Sequence, residues 1–139
     1  MAAATRFRVS QKFHAWSAIG GYDDLGKMDM HKEAKRAMKA LADALGLTKG
    51  DYDLRSDLSG TASSGEVTLH MDRLYVQVQI PVGMGPGVEV MYRACKSRKD
   101  FSGEMNNFSP VEVLDDPQAF ALKLKAFMVR RYPDLRAAS

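Results

Sequence analysis

The sequence predicts a single α+β domain: an antiparallel sheet of about five strands with two amphipathic helices packed on it, in the order β-α-β-β-β-β-α. Three observations predict it. Apolar residues recur with a helical period in two segments and alternate with polar residues in five others. Consecutive alternating segments follow one another through short connections, which favours antiparallel hairpins. No repeat, linker or low-complexity tract divides the 139 residues, a length near that of one domain.

Over residues 6–16, Phe7, Val9, Gln11 and Phe13 fall on one face and Arg8, Ser10 and Lys12 on the other, the pattern of a half-buried strand. Gly20-Gly21 and Tyr22-Asp23-Asp24 then form a loop around Trp16. A helix is predicted from Asp29 to Leu45, because Met30, Ala34, Ala37, Met38, Leu41 and Leu45 recur at spacings of three and four. Asp29 is the expected N-cap and Gly46 the expected C-cap.

The period then changes to two. Tyr52, Leu54, Ser56 and Leu58 alternate with Asp53, Arg55 and Asp57. After the loop 59–65, Val67, Leu69 and Met71 alternate with Thr68 and His70. Asp72-Arg73 is the expected hairpin turn, and Leu74, Val76, Val78 and Ile80 continue as the next strand. The breaker cluster 81–87 separates this from Val88, Val90, Tyr92 and Ala94. Residues 95–110 show no sustained period. Asp116 followed by Pro117 starts a second helix, with Phe120, Leu124, Phe127 and Met128 on its apolar face and Pro133 at its end.

Composition bounds the function classes. The hydrophobic fraction of 45% and charged fraction of 27% fit a folded domain. A net charge of +3 is compatible with a polyanionic partner without demonstrating one. The single cysteine, Cys95, excludes an internal disulfide, and a reducing cytoplasm is the expected compartment. No apolar run approaches the roughly 18 residues of a membrane span, so no membrane association is expected.

The motifs that could carry chemistry are sparse, and neither a catalytic residue, a metal site nor a cofactor is expected. Gly83, Gly85 and Gly87 precede a strand, whereas a phosphate-binding glycine loop opens a helix. Asp23, Asp24, Asp29 and His31 have neither the calcium-loop nor the paired-histidine spacing; a solvated acidic approach to a helix N-terminus accounts for them. Cys95, between Arg93 and Lys96, could form a thiolate, but a nucleophile also needs a base brought to it, with His14, His31 and His70 as the candidates.

Two surfaces carry more. Lys32, Lys35, Arg36 and Lys39 form a basic stripe opposite the apolar stripe of the first helix; it is either a solvated face or a phosphate-binding one. The stretch HKEAKRAMKALADAL is similar to the final helix of a double-stranded-RNA-binding domain. There the helix follows a helix and three strands, so the likeness here is that of a basic amphipathic helix. The second surface is the aperiodic segment, with Lys96, Arg98 and Lys99 beside Phe101, Asn106, Asn107 and Phe108, and Arg93 just before it. Cations beside aromatics grip phosphates and stack on bases, or make a protein interface. The alternative is that the two rings fasten the loop to the core while the amides make turn hydrogen bonds.

The stretches GEVTLHMDRLYVQVQI, VMYRACKSRKDFSGEMNNFSP and VEVLDD, within about residues 65–116, resemble a pattern in small uncharacterised accessory proteins of bacteriophages and conjugative plasmids. The resemblance implies a mobile-element protein acting by stoichiometric binding, including inhibition of host defence complexes such as CRISPR effectors. It carries no catalytic residues. The expectation is therefore a non-enzymatic protein that engages a nucleic acid or a host nucleoprotein complex. The alternatives are a small enzyme with an atypical site around Cys95 and His70, or a homodimeric assembly module joined through sheet edges.

Overall fold

The computed structural model describes residues 9–18, 24–57, 66–79 and 89–134. Helices α1 (Val9–Ala18) and α2 (Asp24–Ala44) come first. Five strands follow: β1 (Tyr52–Asp57), β2 (Glu66–Met71), β3 (Leu74–Gln79), β4 (Glu89–Ala94) and β5 (Asn107–Pro110). A 3-10 turn (Val111–Asp115) leads into α3 (Pro117–Arg131). The sheet is an antiparallel meander in the order β1-β2-β3-β4-β5. The class is α+β with a five-stranded antiparallel sheet, as predicted.

Two strand assignments change. The segment 6–16 contributes a helix, α1, where a strand is predicted. Val9 and Phe13 are four residues apart and satisfy a helical period as well as an alternating one; Gln11, placed by alternation on the apolar face, is exposed while Phe13 is buried. Helix α1 is fastened to the rest by polar contacts. Lys12 Nζ reaches Glu33 at 2.7 Å, the Ser10 amide donates to Asp115 at 2.9 Å, and His14 meets Glu112 at 2.6 Å. The fifth strand is supplied instead by Asn107–Pro110, at the end of the segment that has no sustained period. It escapes alternation because it turns Asn107 and Ser109 toward the helices and Phe108 away from them. The expected loops 20–23, 59–65 and 81–87, with Phe7, Leu58, Ile80 and Val88, lie outside the described residues.

Helix α2 begins at Asp24, so Asp29 is inside it rather than capping it. Its C-terminus is as predicted. Gly46 has φ +79°, its N–H donates to the Asp43 carbonyl at 3.0 Å, and the Leu47 N–H donates to the Ala42 carbonyl at 3.0 Å. That pair of bonds is the Schellman arrangement, with Leu47 folded back onto the core. Met30, Ala34, Ala37, Met38 and Leu41 are buried, the stripe read from their spacing.

Alternation sorts each strand onto two faces. Leu54, Val67, Leu69, Val76, Val78, Val90 and Tyr92 face the helices and pack with Met38, Leu41, Phe120 and Leu124 in one cluster. The Tyr92 ring meets Phe127 edge-on at 5.1 Å, joining β4 to α3. Helix α3 starts as its sequence dictates: the Asp116 carboxylate accepts from the Ala119 N–H at 3.1 Å, and Pro117 occupies the first turn. The β2–β3 hairpin turns through Asp72 and Arg73, with His70 paired to Tyr75 across it. Residues 53, 55 and 57, 66, 68 and 70, 75, 89, 91, 93 and 108 point to the other face, which carries no helix among the described residues.

Candidate binding surfaces

On the helical side, Lys32, Lys35, Arg36 and Lys39 are exposed, on the side of α2 away from its buried stripe. Arg36 approaches Glu33 at 3.3 Å, sharing that carboxylate with Lys12. Lys32, Lys35 and Lys39 make no ion pair among the described residues. Lys125 and Arg130 on the neighbouring helix α3 are exposed as well. His31, which sequence spacing sets beside Asp29, is buried against Ser56 of β1, whereas Asp29 faces solvent; the two diverge.

The face of the sheet opposite these helices is partly closed by the segment 95–106. Although aperiodic, this segment is built. The Asp100 carboxylate accepts from the backbone N–H groups of Lys96 and Gly103, both at 2.9 Å, and these bonds hold it below the ordinary carboxylate range. Gly103 has φ +60° and lies so close to the end of β4 that a Cβ would stand 2.8 Å from the Ala94 carbonyl oxygen. The Glu104 N–H donates to that same oxygen at 2.9 Å. The end of α3 completes the fastening. Arg131 grips the Glu104 carboxylate with two N–H groups, and the Tyr132 hydroxyl donates to the Cys95 carbonyl at 2.8 Å. Arg73 joins from the hairpin, 2.7 Å from Asp134 and stacked on Tyr132.

Several residues singled out from the sequence are engaged within this structure. Arg98 donates to Asp72 at 2.9 Å and to the Gly50 carbonyl at 2.7 Å, and lies 3.7 Å from Asp53. Arg93 stacks on Tyr75 at 4.2 Å and donates to Asn106 at 3.1 Å and to the Phe101 carbonyl. Asn107 donates to the carbonyls of Tyr92 and Met105, at 3.4 and 3.2 Å. Exposed groups remain in Lys96, Lys99, Phe101 and Phe108, the last two each 57% exposed. Neither ring is sunk in the core. Phe101 lies on the helix-free face and Phe108 points the same way from β5, so the helix cations and the loop aromatics occupy opposite sides of the sheet.

His70 is fully buried beneath this loop, between the rings of Tyr75 and Phe101 at 4.9 and 5.5 Å. Arg55 Nη2 lies 3.0 Å from its Nδ1, and its Nε2 lies 2.9 Å from the Ser97 carbonyl. A guanidinium has no lone pair, so Nδ1 accepts and the ring proton sits on Nε2, donated to Ser97. Both nitrogens are satisfied in the neutral ring. Burial lowers the pKa of His70 below its ordinary 6.5, with Arg55 acting in the same direction and the Ser97 carbonyl against it. Cys95 is buried too, with its thiol directed at the Met71 carbonyl, 3.4 Å away. Burial pushes it up to about 11, so it is a protonated thiol at neutral pH and lacks the thiolate that nucleophilic attack needs.

Beside Phe101 the helix-free face opens into a cleft of about 420 Å³, lined by Arg55, Asp57, Glu66, Thr68, Tyr75 and Phe101 among others. Sequence reasoning passes over most of these because they are the polar partners of apolar positions in three strands. The signal that could have found them is register: in a meander, the polar positions of consecutive strands line up into rows, here Arg55 opposite Thr68 and Asp57 opposite Glu66.

The fold and these surfaces define a class: an α+β domain with a helical layer on one side of an antiparallel meander and a loop-capped cleft on the other. Comparison with protein families, curated proteins and solved structures finds no match to the chain. No helix among the described residues is long and apolar enough to cross a membrane.

Proposed function

We propose that this chain is a non-enzymatic binding protein that engages nucleic acid, free or within a nucleoprotein complex, through the outer face of α2. The observation that carries the reading is the row Lys32, Lys35 and Lys39, exposed and without an ion-pair partner among the described residues, with Arg36 beside it. A helix of 21 residues holds these cations at fixed spacing on one side, and phosphate contacts of this kind supply most of the affinity in sequence-independent binding. The cations of the loop contribute less, since Arg93 and Arg98 are committed to the fold. The resemblance over residues 65–116 supports the setting of a phage or plasmid accessory protein, in which stoichiometric inhibition of a host defence complex is the corresponding activity.

The test is fluorescence anisotropy with duplex and single-stranded oligonucleotides across a salt series. Four phosphate contacts on duplex DNA give a slope of log K against log salt of about −3.6, or about a 150-fold loss between roughly 50 and 200 mM. Reversing Lys32, Lys35 and Lys39 to Glu abolishes binding while leaving the circular dichroism spectrum unchanged. An absence of binding at low salt, or full binding by the reversed variant, refutes the proposal.

A further inference from the structure

We propose that His70 is a proton-operated catch beneath the loop on the helix-free face: when it takes up a proton, Arg55 is driven off it and Phe101 loses the cation stacked on its ring. The catch lies across the sheet from the α2 stripe and holds whether or not that stripe binds nucleic acid.

Two groups bond to the buried imidazole. Arg55 Nη2 sits 3.0 Å from Nδ1, and the Ser97 carbonyl 2.9 Å from Nε2. The same guanidinium places its carbon 4.9 Å from the centre of the Phe101 ring. Arg55 therefore bridges β1 to the loop, and one end of the bridge rests on a lone pair that exists only while His70 is neutral.

A proton arriving at Nδ1 replaces that lone pair with an N–H. Two donors then face one another at 3.0 Å, and two positive charges meet where one stood. The bond to Ser97 survives, because Nε2–H donates in both states and a charged donor strengthens it. Arg55 is the partner free to move. Its side chain is 37% exposed whereas His70 is fully buried, and the Asp53 carboxylate already lies 3.9 Å from its Nη1. The loop keeps its frame, since Asp100 still accepts from Lys96 and Gly103. The change is confined to Arg55 and Phe101, and the cleft that both line changes shape with them.

The charges around His70 set where this occurs. From β1, Arg55 opposes the proton and Asp53, which Arg98 also approaches at 3.7 Å, favours it; from the loop, Asp100 favours it. From β3 comes the Tyr75 ring, with Arg93 of β4 stacked on it at 4.2 Å. At the β2–β3 turn Asp72 is bonded to Arg98, and Lys96 and Lys99 of the loop are exposed. Burial opposes the proton most, so the catch releases below the ordinary imidazole range.

The experiment is an NMR pH titration of the full chain that follows the imidazole nitrogens, the Arg55 Nε–H and the Phe101 ring protons. His14 and His31, beside Glu112 and Ser56, give separate histidine signals. At neutral pH His70 should carry its proton on Nε2. On acidification the Arg55 and Phe101 signals should shift together, with the His70 midpoint and below pH 6.5, while the Gly103 amide stays in place. In His70→Gln, which cannot take up the proton, that step disappears. Arg55→Gln, which removes the opposing charge, moves the His70 midpoint upward. Should His70→Gln fail to fold, the titration of the unaltered chain decides alone. A proton on Nδ1 at neutral pH overturns the proposal, as do Arg55 and Phe101 signals that stay still through the His70 midpoint. So do the same step in His70→Gln, a midpoint not raised by Arg55→Gln, or unfolding of the whole chain before any such step. The oligonucleotide titration reads α2, so failure here and failure there are separate.

Discussion

Replacing Gly103 with alanine tests whether the loop over the helix-free face is as tightly built as its contacts imply. The residue has φ +60°, in the left-handed region, where a Cβ costs about 1–2 kcal/mol. The new methyl would also stand 2.8 Å from the Ala94 carbonyl oxygen, a backbone atom that cannot swing aside. Relief requires the loop to lift from β4 and gives up the bond from the Glu104 N–H to that oxygen, about another 1 kcal/mol. The expected loss is therefore about 2–3 kcal/mol. Gly46→Ala is the internal control: it has φ +79° and nothing within 4 Å of its Cβ, so it carries the conformational cost alone, about 1–2 kcal/mol. Urea denaturation gives the global loss, and hydrogen exchange at the Glu104 amide reports local opening. Equal effects of the two substitutions on both measures would refute the claim that contact with β4 shapes the loop.

Three further predictions concern pH dependence and thiol reactivity. The folded protein resists protonating His70, whereas the unfolded chain takes up the proton near pH 6.5, so stability falls as pH drops below that value. The slope of the urea midpoint over this range should flatten in His70→Gln; an unchanged slope assigns the effect elsewhere. The Asp100 and Glu104 carboxylates are held below their ordinary values of 3.8 and 4.5, so their contribution is present above those values and lost as pH falls through the lower folded ones. Cys95, buried and raised to about 11, should react with iodoacetamide at neutral pH only as the protein unfolds; rapid labelling of the native state would contradict its placement.

The helix α2 was legible because five core residues repeat over several turns and Gly46 marks the end; no other period fits them. The strands β2 and β3 were legible because Val67, Leu69, Val76 and Val78 alternate with residues that face the side carrying no helix among the described residues. Short elements were not. Val9 and Phe13 satisfy two periods at once, and β5 turns an aromatic outward and a serine inward. The candidate surfaces divide in the same way. Exposure of Lys32, Lys35 and Lys39 follows from helical geometry alone. The engagement of Arg98 with Asp53 and Asp72 joins residues far apart in sequence, which no local pattern encodes. Asp57 facing Glu66 likewise depends on strand register.

The fastening of residues 95–106 by the end of α3 has a consequence for the order in which the molecule is assembled. Glu104 and the Cys95 carbonyl find their partners in Arg131 and Tyr132, 27 and 37 residues further along. During synthesis the four strands before the loop can pair as each emerges, since every hairpin is local. The loop cannot reach its final state until α3 has left the ribosome and docked. The surface bearing Phe101 is therefore finished last, and loss of Arg131 and Tyr132 alone should leave the loop unfastened there. Closure of the loop over this side of the sheet is in this way tied to synthesis through Tyr132.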